Sequence, residues 1–124
     1  MTDENTKTER SVMDCVPTDF YDRAYDHYAK ALRKHPRFAD ALFANPEVAN
    51  AEKALADARR WLAHLEAHGE LDGAILAMCE FDEAQLAHAQ GDAAACVSEL
   101  YDAVAVLMRM IAVVEGKQRL GGEA

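Results

Sequence analysis

The chain has 124 residues, of which 51% are hydrophobic, and a formal net charge of −9. These values predict one folded domain and no nucleic-acid partner, because phosphate backbones are bound by Lys and Arg. No apolar run is long enough to span a membrane, and the N-terminus lacks the apolar core of a signal peptide. Three cysteines without CxxC spacing are typical of reduced thiols, so we expect a cytoplasmic protein without a disulfide framework.

The hydrophobic pattern predicts an all-α protein, since no segment alternates with a period of two residues. Residues 1–17 are expected to form a flexible arm, residues 18–116 the helical domain, and residues 117–124 a C-terminal tail. Helices joined by short turns favour an antiparallel four-helix-type bundle. The fourth helix is too apolar for three short helices to cover, so we expect oligomerisation to complete the bundle.

Capping residues and glycines indicate where the helices begin and end. A polar side chain at a helix start accepts a backbone hydrogen bond, and a glycine after the last turn adopts the left-handed conformation. These signals predict helices over about residues 19–35, 46–68, 71–90 and 93–115. The caps are Thr18, Asn45 and Asp92, and the stops are Gly69, Gly91 and Gly116.

The first predicted helix carries tyrosines on one face. Tyr21, Tyr25 and Tyr28 recur at helical spacing, followed by Leu32. This pattern is more typical of core or interface positions than of a ligand site. The alternative is that one tyrosine stacks on the base or ribose of a nucleotide.

Two pairs of carboxylates indicate a metal site. Glu80 and Glu83 are three residues apart, as are Glu99 and Asp102, so each pair points to one side of its helix. A turn at residues 91–92 would bring the two pairs together. Like charges at close range repel unless a proton, a basic residue or a cation neutralises them. Four oxygens from two facing helices suit Mg²⁺ or Mn²⁺.

The setting of the second pair favours metal over a solvated acidic face. The fourth helix is apolar nearly all round, which predicts burial. Glu99 and Asp102 share a strip with Val and Met, flanked by Arg109. The alternative is that the acids face solvent or pair with basic residues of the first two helices. A second strip of this helix is purely apolar and comprises Leu100, Val104, Leu107, Ile111 and Val114.

The order ExxE, a short connection, ExxD and a hydrophobic helix resembles the metal motif of the MazG-like, all-α nucleoside triphosphate pyrophosphohydrolases. The resemblance covers about residues 71–115, and residues 98–109 are similar to the family's "EELADVLIYLLR" style of helix. Short phage-encoded members are similar in general layout. The family often has EExxE, whereas Cys79 stands here in place of the leading acid.

The resemblance implies an activity and a set of roles. The metal ligands would be Glu80, Glu83, Glu99 and Asp102, which would bind Mg²⁺, with Mn²⁺ able to substitute. Water would attack the α-phosphorus of a (deoxy)nucleoside triphosphate, releasing pyrophosphate and a nucleoside monophosphate, and Glu80 or Glu83 would be the catalytic proton acceptor. The phage-like layout suggests purine substrates such as dATP or dGTP, in the host cytoplasm for a phage-encoded protein. The resemblance also implies a homodimer or homotetramer. Candidate substrate-binding residues are Tyr28, Arg109, Lys117 and Arg119.

Two other classes of function are weighed against this one. A di-iron carboxylate bundle requires Glu-x-x-His pairs, but Glu83 and His88 are five residues apart, which argues against it. The other alternative is a non-enzymatic, small helical interaction protein whose acidic cluster is incidental. Stabilisation by a divalent cation would distinguish a metal site from that alternative.

Overall fold

The computed structural model describes residues 16, 19–37, 42–43 and 47–117. Within these ranges the secondary structure is helical, which confirms the all-α class, and no described helix is long and apolar enough to cross a membrane. The predicted arm and tail fall almost entirely outside the described residues, as do Thr18, Asn45 and Pro46. The helices are α1, Phe20–Lys34; α2, Val48–Ala67; α3, Gly73–Ala89; and α4, Ala93–Val114.

The chain divides into two compact units. One contains the described parts of Met1–Leu42 and Met108–Ala124, and the other contains those of Phe43–Leu107. The first unit therefore holds α1 and the last turns of α4. The second unit holds α2, α3 and the larger part of α4, and with them every residue of the two carboxylate motifs.

In the first unit, Arg23 connects α1 to the end of α4, with its Nη1 atom 2.8 Å from Oε1 of Glu115. No residue of α1 is buried. Its tyrosine face is open to solvent, since Tyr21 and Tyr25 are each 69% exposed and Tyr28 is 63% exposed. These tyrosines are therefore not core residues of this chain, and an interface or ligand role stays a prediction.

Local side-chain chemistry explains the helix ends of the second unit. The side chain of Asp92 accepts a hydrogen bond from the Ala95 backbone nitrogen at 3.0 Å, as its capping role predicts. The third helix begins two residues later than expected, because Asp72 caps it by accepting from the Ile75 nitrogen at 2.9 Å. The three predicted stops all have positive φ angles: Gly69 at 67°, Gly91 at 78° and Gly116 at 76°.

The core of the second unit forms between α2, α3 and α4. The helices α2 and α3 pack against each other, and the buried residues of α2 recur at helical spacing. Small side chains fill the contact of α3 with α4, where Ala84, Ala87 and Cys96 form one buried cluster. This cluster is the part of the core that α3 and α4 share. The buried residues of α2 are Ala51, Leu55, Ala58 and Leu65.

Within a single chain α4 is not buried on all sides, and its covering by another copy stays a prediction. Among its described residues, only Cys96, Ala103 and Ala112 are buried. The predicted purely apolar strip is mostly exposed, because periodicity identifies apolar residues but does not say which neighbour covers them. The exposed members of that strip are Val104, Leu107, Ile111 and Val114.

Candidate metal centre

Three of the four predicted ligands converge in the second unit. Glu80 and Glu83 lie one turn apart on α3, and Glu99 lies on α4. Each residue offers one carboxylate oxygen, and these three oxygens all lie within 4.8 Å of one another. All three side chains are half-buried. We refer to Glu80, Glu83 and Glu99 as the carboxylate triad.

The fourth predicted ligand, Asp102, does not join the triad. Its side chain is exposed, and it is not part of the group of close carboxylate oxygens. Residues three apart on a helix differ in direction by about 60°. This rotation turns Asp102 away from the side of α4 that faces α3, next to which Glu99 lies. Its negative charge still contributes to raising the pKa of Glu80, so Asp102 lies within electrostatic range of the triad.

Two oxygen atoms of the triad are buried without a partner. Oε2 of Glu80 and Oε2 of Glu99 accept no hydrogen bond from any described residue. A buried carboxylate oxygen that has no donor carries an uncompensated desolvation cost. A proton or a cation removes this cost, and hard oxygen donors are the ligands that Mg²⁺ and Mn²⁺ prefer. The donor set and these two oxygens therefore fit a divalent cation.

The remaining member of the triad pairs with a basic residue from α2. Nη2 of Arg59 lies 3.1 Å from Oε1 of Glu83. The sequence-based alternative, in which acids pair with basic residues of the first two helices, is thus realised for Glu83. Sequence reasoning did not identify Arg59, because no spacing rule relates two residues that are 24 positions apart. The available signal was its position beside Ala58, at the edge of the buried stripe of α2.

The acids of the triad differ in pKa. Hydrogen bonding with Glu80 and then with Glu83, together with burial and their negative charges, raises the pKa of Glu99 to about 8. Burial also raises the pKa of Glu80. Burial acts upward on Glu83 too, but hydrogen bonds from Glu99 and Arg59 outweigh it and place the pKa of Glu83 below its usual value. With protons as the only neutralising species, the triad therefore retains a proton on Glu99 at neutral pH.

The cysteine that precedes the ExxE motif is buried on α3. Burial raises the pKa of the Cys79 thiol, and the charges of Glu83, Asp82 and Glu80 raise it further. A neutral thiol therefore occupies the position at which the resembled motif carries an additional acid. The triad thus has one negative charge fewer beside it than an EExxE motif would supply.

The predicted substrate-binding residues lie outside the second unit. Tyr28, Arg109 and Lys117 are exposed members of the first unit, and Arg119 falls outside the described residues. Their assignment to a substrate stays a prediction. The basic residue that contacts the triad is instead Arg59, from the second unit.

Comparison with known proteins finds no match for this chain among protein-family models, curated proteins or solved structures. The resemblance to MazG-like pyrophosphohydrolases thus depends on the motif residues alone. The geometry of the triad is the remaining observation that bears on function.

Proposed function

We propose that this chain is a Mg²⁺-dependent nucleoside triphosphate pyrophosphohydrolase whose metal ligands include Glu80, Glu83 and Glu99. The observation that carries the proposal is the convergence of these three carboxylates, two of which have a buried oxygen without a partner. A divalent cation relieves both the repulsion and the missing contacts. The ExxE and ExxD motifs supply the reaction class by resemblance, and Asp102 adds negative charge beside the site.

The chemistry follows from the residues around the triad. When bound, Mg²⁺ neutralises charge that develops on phosphoryl oxygens and lowers the pKa of water. The pKa of Glu83 lies below its usual value, so this residue is ionised at neutral pH and supplies a negatively charged ligand. Burial raises the pKa of Glu80, and the carboxylate oxygen that Glu80 does not give to the cation accepts the proton of the attacking water. The water oxygen bonds to the α-phosphorus, the bond from that phosphorus to the bridging oxygen breaks, and pyrophosphate leaves.

The charge of the chain constrains how the substrate binds. A chain with a net charge of −9 repels a free triphosphate, whereas a triphosphate that carries divalent cations is largely neutralised. We propose a (deoxy)nucleoside triphosphate as the substrate, and purine deoxynucleotides such as dATP and dGTP as the preferred substrates. The setting we propose is cytoplasmic, and the assembly is a homodimer or homotetramer that completes the helical bundle.

Product analysis tests the reaction class. Incubation of the protein with a panel of nucleoside triphosphates and Mg²⁺ is expected to give nucleoside monophosphate and pyrophosphate, resolved by ion-exchange chromatography. Glu83→Gln should lower the rate at least about 100-fold, since it removes a charged ligand from the site. Glu66→Gln, an exposed site on α2, is the matched control and should retain the wild-type rate. Release of orthophosphate and diphosphate would contradict the proposal.

The exposed apolar face of α4 favours a second candidate, a non-enzymatic helical interaction protein. Tyr101 is 71% exposed and Val97 is 51% exposed on this helix. Contiguous exposed apolar residues mark protein contact surfaces in many folds. This candidate predicts an oligomer or complex that divalent cations do not stabilise. The enzyme proposal predicts both an oligomer and stabilisation by divalent cations.

A further inference from the structure

Arg59 differs from the other basic residues of the second unit because its side chain contacts the carboxylate triad. Between residues 43 and 107 the chain has three Lys or Arg residues: Lys53, Arg59 and Arg60. The side chain of Arg60 pairs with Asp57 on its own helix. The Arg59 guanidinium instead reaches across to α3 and contacts Glu83 of the triad. The triad thus has one basic neighbour among the described contacts of this unit.

The contact between Arg59 and Glu83 is at the solvent edge of the site. The side chain of Arg59 is 60% exposed, whereas that of Glu83 is 27% exposed. An ion pair with so exposed a partner is weak, because water competes for the guanidinium. Arg59 can therefore leave Glu83 at little cost and remains next to the triad when it does so.

A divalent cation and Arg59 compete for the same carboxylate. A cation held by the triad attracts Glu83 and repels the positively charged guanidinium. The displaced guanidinium then requires another anion. A phosphoryl group is the best match, since the planar fork of Arg donates two parallel hydrogen bonds to phosphate oxygens.

We propose that Arg59 is a phosphate-binding residue of this site, which exchanges Glu83 for a phosphoryl oxygen of the triphosphate when cation and substrate bind. The inference rests on the proposed function and deepens it by assigning a substrate contact to α2. Arg59 thereby couples the two ligands: it weakens binding of the cation alone and strengthens binding of the triphosphate. A residue that merely held Glu83 in place would strengthen binding of the cation.

The first part of the test measures cation binding without any phosphate. Titration calorimetry with Mn²⁺ is carried out on the wild type, Arg59→Ala and Arg60→Ala. Arg59→Ala should bind Mn²⁺ about fivefold more tightly, because a neighbouring positive charge has been removed. Arg60→Ala loses the same charge on the next residue, away from the triad, and should match the wild type. Weaker Mn²⁺ binding by Arg59→Ala would overturn the inference.

The second part measures binding of inorganic triphosphate at saturating Mn²⁺, which removes any dependence on base or sugar. Arg59→Ala should bind triphosphate about 10- to 100-fold more weakly than the wild type, the usual loss for a charge-assisted hydrogen bond. Arg59→Lys should be intermediate, since it keeps the charge and loses the fork. Arg60→Ala should be unchanged, and circular dichroism confirms that each variant is folded.

The combined binding data distinguish a failure of the role of Arg59 from a failure of the pyrophosphohydrolase proposal. If the wild type binds Mn²⁺ and triphosphate and Arg59→Ala binds triphosphate equally well, the role of Arg59 is overturned and the pyrophosphohydrolase proposal stands. If the wild type binds Mn²⁺ but not triphosphate, the substrate class and the role of Arg59 are both overturned. If the wild type binds neither, the metal site itself is overturned.

Discussion

Glu99 is the residue on which the charge balance of the triad depends. One of its carboxylate oxygens lies within 4.8 Å of an oxygen of each acid on α3, and these two acids, together with burial, raise its pKa to about 8. In the absence of metal and at about pH 9, where Glu99 is ionised, Glu99→Gln should raise the stability by about 1 kcal/mol, or Tm by roughly 4 °C, because one charge is lost from the triad and the amide can donate to Glu80 or Glu83. Thermal melting with a chelator present measures this, with exposed Glu66→Gln as the control. A Tm below that of the wild type would contradict the charge assignment.

The same proton makes the stability of the chelated protein depend on pH. Glu99 has a pKa of about 8 when folded and about 4.5 when unfolded, so the folded chain binds the extra proton between these values. The stabilisation is complete below the unfolded pKa and is lost as the pH rises through the folded pKa. Glu83 acts oppositely, but its lowered pKa confines its effect to acidic solution.

We therefore expect the chelated wild type to melt at a lower temperature at about pH 8.5 than at about pH 6.5. Glu99→Gln should flatten this difference, since the titrating group is gone. Melting curves between these two pH values, with the chelator present throughout, measure how steeply Tm changes with pH in each protein. Equal slopes in the two proteins would assign the titration to another group.

At the scale of single helices, the N-cap of α3 carries a measurable part of the stability. Asp72→Ala removes the acceptor for the Ile75 nitrogen and should cost about 1 kcal/mol in the free energy of unfolding. Asp57→Ala removes an acid that pairs on the surface of α2 with Arg60, and should change stability by less than about 0.5 kcal/mol. Urea denaturation of both variants measures the contrast. Equal losses would show that the cap contributes nothing specific.

The local signals of the chain predict where three of its helices stop and where α4 begins. Gly69 and Gly91 end helices because they adopt positive φ angles. Asp92 caps α4 because its side chain accepts a hydrogen bond from the backbone nitrogen of Ala95, three residues further along the chain. These features depend on neighbours in sequence, which a single chain displays directly. The predicted start of α3 lies two residues too early, because the side chain of Asp72 accepts a hydrogen bond from the Ile75 nitrogen and fixes the start of the helix at Gly73.

Features that depend on distant neighbours were harder to predict. The convergence of Glu80 and Glu83 with Glu99 was expected, because one short turn joins the two helices. The exposure of Asp102 was not expected. Residues three apart on a helix differ in direction by about 60°, and this difference decides which of Glu99 and Asp102 faces α3. The contact of Arg59 with Glu83 was not predicted either, because it joins helices that are not adjacent to the motif in sequence.

At the scale of the whole molecule, the exposed face of α4 is the feature that calls for a partner. Val104, Leu107 and Ile111 are each at least 40% exposed and recur at spacings of three and four residues, as in helix seams that pack against another helix. We expect a homodimer or homotetramer by light scattering. Val104→Glu should shift it toward monomer, whereas Val48→Glu, at the start of α2, should not. A wild type that is monomeric at high concentration would contradict the proposed assembly.

Thermal melting of the wild type and Glu99→Gln across a titration of Mg²⁺ and of Mn²⁺ tests the proposed metal centre most directly. A cation that binds only the folded state stabilises it by about 2.7 kcal/mol at 100 times its dissociation constant. We expect Tm of the wild type to rise continuously with cation concentration and Glu99→Gln to lose most of this rise. An unchanged wild-type Tm at millimolar cation, or equal rises in the two proteins, would contradict the assignment of Glu80, Glu83 and Glu99 as a metal centre.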